Sequence, residues 1–143
     1  MNTGAETELT IACMDVVHRF YCSLDAGDYD TLVAQMSPDG VWERQGKTLE
    51  GRNAVRDALR QRGDGVTTTH LVQNLVVDRQ DARTATASMY VVVLRHEGAG
   101  PHGEPPVTPP IRTIQRVRDV FVLTDQGWRI SHKSGHPIFR HAA

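Results

Sequence analysis

Apolar residues recur at three-and-four spacing in the first half of the chain, and strand-like runs dominate the second. Helices followed by strands in separate blocks define the α+β class, in which helices cover one face of a mostly antiparallel sheet. With 143 residues, the chain has the length of one domain and can bury a sizeable core. Sixteen Lys and Arg against seventeen Asp and Glu leave a formal charge of −1. That balance carries no basic excess of the kind nucleic-acid binders display. No apolar run approaches a membrane span, and the polar, acidic start lacks the apolar stretch of a secretory signal. A cytoplasmic location is expected. Cys13 and Cys22 fall on one expected helix, about 13 Å apart at 1.5 Å per residue. They are therefore read as reduced, buried thiols.

The first helix is expected from Thr7 or Thr10 to Ala26, burying Leu9, Cys13, Val16, Val17, Phe20, Tyr21 and Leu24 and stopping at Gly27. Asp28 is placed to cap a short second helix with Leu32, Val33 and Met36 inward. Ser37-Pro38-Asp39-Gly40 reads as a turn, and Val41-Trp42-Glu43 begins a short strand. A third helix follows Gly51, with Asn53 as a possible cap and Gly63 as its stop. Long strands are expected over 67–78, 83–96 and 111–124, then a last strand over 128–134. Five of the seven prolines fall within 97–110, so that segment reads as a loop rather than a central strand. Residues 135–143 read as a tail, and the core is expected over about 8–134.

Four segments resemble the SnoaL-like branch of the nuclear transport factor 2-like superfamily. They are Phe20-Tyr21-Cys22-Ser23-Leu24-Asp25-Ala26-Gly27-Asp28-Tyr29-Asp30, Leu49-Glu50-Gly51-Arg52-Asn53-Ala54-Val55-Arg56, Thr69-His70-Leu71-Val72-Gln73-Asn74-Leu75, and Arg118-Asp119-Val120-Phe121 with Gly127-Trp128-Arg129-Ile130. The branch includes scytalone dehydratase, bile-acid dehydratase and hexachlorocyclohexane dehydrochlorinase. The resemblance implies a single domain over 1–143 with a cone-shaped, cystatin-like fold. Three helices pack on a strongly curved sheet that encloses one mostly apolar pocket. It also implies a catalytic pair made by a helix carboxylate and a strand histidine, which fall here at Asp25 and His70.

The chemistry of these residues suits proton transfer. Histidine takes and gives protons near neutral pH. A carboxylate beside it orients the ring and stabilises the imidazolium. Each position also has a plain alternative: Asp25 as a surface carboxylate near a helix end, His70 as a hydrogen-bonded structural histidine. Asn74 is a candidate donor to an enolate oxygen or else a turn residue. Asp119 is a candidate pocket acid or the partner of Arg116 or Arg118. His132 is a candidate site residue that faces inward if Ile130 does, as period-2 alternation requires, or else a surface residue. Tyr21, Trp42 and Met89 are candidate pocket walls or plain core. Met89 and Tyr90 are adjacent, so at most one of them faces a pocket. His18 and Cys22 have metal-ligand spacing but no evident further ligands, and no metal is expected.

The expected function is a cofactor-free lyase of dehydratase type acting on a hydrophobic cyclic or aromatic small molecule. The rivals are an isomerase or cyclase using the same pair, a ligand-binding protein without chemistry, and the small subunit of a ring-hydroxylating dioxygenase. A homodimer or higher oligomer is expected because helices can cover only one sheet face. Neither nucleic acid nor membrane is expected as a partner.

Overall fold

The computed structural model describes residues 3–98 and 103–140. Helix α1 (Gly4–Ala26) is the longest helix, one turn longer at its start than the apolar spacing indicates. The extra turn follows from its cap: Thr3 Oγ1 accepts from the Glu6 N–H at 3.4 Å. Gly27 ends the helix at φ 73°, a left-handed conformation that glycine adopts without a Cβ clash. Asp28 then caps α2 (Tyr29–Ala34), accepting from the Thr31 N–H at 3.1 Å and the Thr31 hydroxyl at 2.6 Å. Helix α3 (Gly51–Arg60) has Glu50, not Asn53, at its N-cap position, and it ends before Gly63. The Arg52 guanidinium donates twice to the Met36 carbonyl, at 3.1 and 2.6 Å, tying α3 to the sheet.

Six strands form one curved sheet: β1 (Met36–Arg44), β2 (Lys47–Glu50), β3 (Val66–Arg79), β4 (Thr84–Glu97), β5 (Ile111–Thr124) and β6 (Gly127–Arg140). Their order is β2-β1-β6-β5-β4-β3, and every pairing is antiparallel except β1 with β6. Met36 is the first residue of β1 rather than part of α2. The expected turn at Ser37–Gly40 survives as an irregularity inside β1, between the Met36–Ile130 and Val41–His132 pairings. A Cβ on Gly40 would lie 2.9 Å from the Ile130 carbonyl oxygen, so the close approach of these backbones requires glycine. Strand β6 continues through 135–140, where a tail was expected. Residues 104–110 form no regular structure, consistent with the proline-rich loop, and 99–102 lie outside the described residues.

Bulges break the simple alternation in three places that bear on the site. At Asn74 (φ 55°) β3 carries one extra residue between the Gln73–Tyr90 and Val76–Ser88 pairings. Asparagine tolerates that left-handed backbone better than most residues. The parity flips there: Leu75 and Val77 pack on the core, while Val76 is exposed. At Arg112, β5 has one extra residue between Val93–Thr113 and Leu94–Ile111. At Ser131, β6 has one between Phe121–Ile130 and Val120–His132.

The core lies between α1 and the sheet. Leu9, Cys13, Val16, Val17, Phe20, Tyr21 and Leu24 are all buried along one side of α1. Each large apolar side chain so buried contributes roughly 1.5–3 kcal/mol relative to exposure. Phe20 packs edge-on against Tyr21 and Trp42, with ring centroids 5.2 and 5.1 Å away. Both cysteines are free thiols; Cys13 is buried, but Cys22 is exposed, contrary to the expectation. Burial, assisted by Asp119, pushes the Cys13 thiol up to about 12.

Candidate active site

A cavity of about 640 Å³ opens between α1 and one end of the sheet. Its wall includes Tyr21 and Leu24 from α1, Thr68 and His70 from β3, Val91 from β4, Trp42 from β1 and Lys133 from β6. An adjoining groove of about 270 Å³ shares Arg44, Arg62 and Arg95 with it.

Asp25 lies in the last turn of α1 and His70 on the inward parity of β3. The two meet: Asp25 Oδ1 is 2.5 Å from His70 Nδ1. Asp25 Oδ2 accepts the His70 backbone N–H at 2.9 Å, and Oδ1 also accepts the Thr68 hydroxyl at 2.9 Å. Thr68 in turn accepts from Arg62 at 2.9 Å, and Arg62 donates to the Leu24 carbonyl at 3.0 Å. The carboxylate is thus fixed by three donors from His70 and Thr68, and Thr68 is held in turn by Arg62. A carboxylate only accepts, so the short contact assigns a proton to Nδ1, and in the neutral ring the lone pair is then on Nε2. The imidazole stacks on Tyr21 with centroids 5.2 Å apart and planes 23° apart. His70, with its side chain 12% exposed, lines the cavity, while Asp25 holds it from behind, outside the lining.

A second acid–base pair sits deeper. Lys133 Nζ stands 2.9 Å from Asp119 Oδ1 and 3.0 Å from Oδ2, the latter in hydrogen-bonding geometry. Nζ also donates to the Tyr21 hydroxyl at 3.3 Å and lies 4.5 and 4.7 Å above the Phe20 and Tyr21 rings. Burial works against the ammonium, but Asp119 and Tyr21 overcome it and hold Lys133 above its ordinary value. Burial pushes the Asp119 carboxyl up, with Lys133 pulling the other way. Burial likewise raises the Tyr21 phenol, which stays protonated at neutral pH.

Of the expected site residues, His70, Tyr21 and Trp42 line the cavity, and Asp25 stands behind His70, outside the lining. Asn74 does not: it is exposed at the β3 bulge, outside the lining. Met89 is core, 2% exposed, and Tyr90 accepts from Arg116 at 3.0 Å, so neither lines the cavity. Asp119 is fully buried and pairs with Lys133 rather than with Arg116 or Arg118. Ile130 and Lys133 are both buried, three residues apart, because the Ser131 bulge inverts the alternation. His132 is thereby turned to the other face, 3.7 Å from Glu43. The wall is not mostly apolar: Arg44, Arg62, Arg95, Arg112, Lys133 and Arg140 line it beside the single acid Glu43. Lys133 was missed in the sequence, where a strand lysine reads as a solvated residue. No cluster able to hold a metal ion occurs among the described residues, His18 and Cys22 included. No helix among them is long and apolar enough to cross a membrane.

The fold and the helix–strand pair together define a class. The chain belongs to the SnoaL-like domain family, whose model matches residues 5–134. Solved structures with the same architecture include a protein from Catenulispora acidiphila (TM-score 0.79, 21% identity, covering 94% of this chain and 95% of that one). A Catenulispora acidiphila structure in complex with S-DNPA matches with TM-score 0.76 and 20% identity over 92% and 94% of the two chains. A candidate scytalone dehydratase from Novosphingobium aromaticivorans matches with TM-score 0.75 and 18% identity over 92% and 87%. These likenesses establish the α+β, cystatin-like fold. No curated protein matches the chain.

Proposed function

We propose that this protein is a cofactor-free lyase that removes water from a cyclic or aromatic small molecule. The observation that carries the reading is the 2.5 Å contact between Asp25 and His70 at the wall of a cavity of molecular size. His70 Nε2 takes a proton from the carbon beside a carbonyl. Asp25 holds the ring and stabilises the imidazolium, as a carboxylate does in a catalytic triad. The carbon–hydrogen electron pair becomes the new double bond. The carbon–oxygen bond breaks, and the imidazolium hands its proton to the departing hydroxyl, so water leaves and His70 is restored.

Tyr21 supports this chemistry. Its oxygen accepts from Lys133, so its own proton is available to a carbonyl oxygen in the cavity. The likeness to a candidate scytalone dehydratase points the same way. The whole chain acts as one domain on this reading. It works as a homodimer across the outer sheet face, where Leu71 and Val76 are 46% and 54% exposed. Light scattering at micromolar concentration checks the dimer, and a monomer there contradicts it.

The test of the reaction is proton exchange and water loss on a panel of cyclic β-hydroxy ketones in D2O. Wild-type protein is expected to exchange the proton beside the carbonyl and release the enone. His70→Ala is expected to do neither. Equal activity of the two proteins, or none from wild type across the panel, counts against the lyase.

A further inference from the structure

The mouth of the cavity gathers cations from separate strands. Arg44 ends β1, Arg95 lies near the end of β4, Arg112 near the start of β5 and Arg140 at the end of β6. Their registers place them at one end of the sheet: Arg95 pairs with Thr68 and Arg140 with Thr113. Arg112 and Thr113 are neighbours in sequence, yet both line the cavity, because the β5 bulge falls at Arg112.

These charges are poorly neutralised. Arg62 is committed to Leu24 and Thr68, and Arg95 makes a 3.2 Å contact with Glu97. Among the described residues Arg44 donates to the Gln45 amide oxygen, at 3.4 Å, and lies over the face of Trp42, 5.5 Å from the ring centroid. Neither Arg44 nor Arg112 has a carboxylate within ion-pair distance among the described residues. Burial, with Arg62 and Arg95 adding repulsion, pushes the Arg44 guanidinium below its ordinary value. Like charges converging on one opening, beside aromatic walls, are complementary to an anion carried on a ring.

We infer that the cavity takes an organic anion, its cyclic body against Tyr21, Trp42 and Val91 and its carboxylate or phosphate at the mouth, in the field of the lining arginines, Arg44 and Arg112 among them. This refines the lyase reading by naming the charge of its substrate, and it rests on the same cavity being the ligand site. Guanidinium forks bind carboxylates and phosphates through paired N–H bonds, which a neutral amide of the same shape cannot match.

The test is calorimetric titration of the full chain with 2-naphthoate, 2-naphthyl phosphate and neutral 2-naphthamide at two salt concentrations. At least one anion is expected to bind about tenfold or more tightly than the amide, as lost charge-assisted hydrogen bonds imply. Added salt is expected to weaken the anion. The tighter of the two anions identifies the headgroup. Arg44→Gln and Arg112→Gln are each expected to lower anion affinity about tenfold. Arg60→Gln, which removes a charge paired with Asp57 on α3, is expected to leave it unchanged. Melting curves verify that each variant is folded, and exposed Arg112 supplies the decisive variant if Arg44→Gln unfolds. Equal binding of amide and anions, no binding of any probe, or an equal loss in Arg60→Gln overturns the inference. Proton exchange by a protein without charge preference overturns this inference alone. Anion binding without exchange on any substrate overturns the proposed reaction and leaves the anion site standing.

Discussion

Asp25–His70 joins α1 to β3 and Asp119–Lys133 joins β5 to β6; both are acid–base pairs, yet they differ in what surrounds them. The first keeps side-chain exposures of 23% and 12%; the second has 0% and 2%. In the first, one ring nitrogen is held by the carboxylate and the other is left for a cavity. In the second, the ammonium spends its contacts on Asp119, the Tyr21 hydroxyl and two aromatic faces. The difference teaches which acid is available for chemistry: exposure and an uncommitted ring nitrogen distinguish a reactive pair from one that anchors α1.

The largest effect is expected at the sealed pair. Lys133→Met leaves the Asp119 carboxyl buried without its cation, which costs about 3–5 kcal/mol of stability. The double variant Lys133→Met/Asp119→Leu is expected to lose less than either single one, because no charge is stranded. Urea unfolding of the three proteins checks this, and additive losses contradict it.

At the open pair the expected loss is in rate. His70→Ala is expected to slow elimination by about 10²–10⁴, as for a missing general base, while stability changes by less than about 1 kcal/mol. Comparing initial rates with urea midpoints separates the two. A large fall in stability with little change in rate would reverse the assignment of the two pairs.

Gly40→Ala tests the backbone that brings β1 against β6 beside the Ser131 bulge. The added Cβ meets carbonyl oxygens of Ile130 at 2.9 Å and Ser37 at 3.0 Å. A loss of roughly 1–3 kcal/mol is expected from overpacking, read from the same unfolding curves.

The last effect is absent at neutral pH, a pH dependence that reports on the sealed pair. Cys13 ionises at about 12 in the fold against 9.0 for a free thiol. Between those values the unfolded chain has lost the proton and the folded one has kept it. Stability from this group is therefore complete below pH 9.0 and declines as pH rises toward 12. Cys13→Ala is expected to flatten that slope. Removing Asp119, the second cause of the shift after burial, is expected to reduce it. Thiol modification of the native protein is expected at exposed Cys22 and not at Cys13.

Much of the fold was legible because local rules coincide with it. The α1 stripe, the Gly27 stop, the Asp28 cap and the limits of β5 all depend on residues close in sequence. The Asp25–His70 pair was legible through the resemblance, since alternation alone does not select the inner face of β3. What stayed hidden depends on bulges. The 125–126 turn pairs Thr124 with Gly127, and an unbroken hairpin would set Asp119 against His132. One extra residue at Ser131 moves Lys133 into that place. The same parity argument misplaced His132 inward and, through the bulge at Asn74, hid the flip that exposes Val76. A register slip of one residue exchanges the two faces of a strand, so a single bulge is enough to conceal a buried cation.

The central claim is that Asp25 holds the His70 ring with its proton on Nδ1 and its lone pair on Nε2. Long-range proton–nitrogen NMR of labelled imidazoles tests it directly, in wild type and in Asp25→Asn. The account predicts that the His70 ring carries its proton at Nδ1, strongly deshielded, and that the Asn variant loses this signature. A ring protonated at Nε2, or a spectrum indifferent to residue 25, contradicts the account.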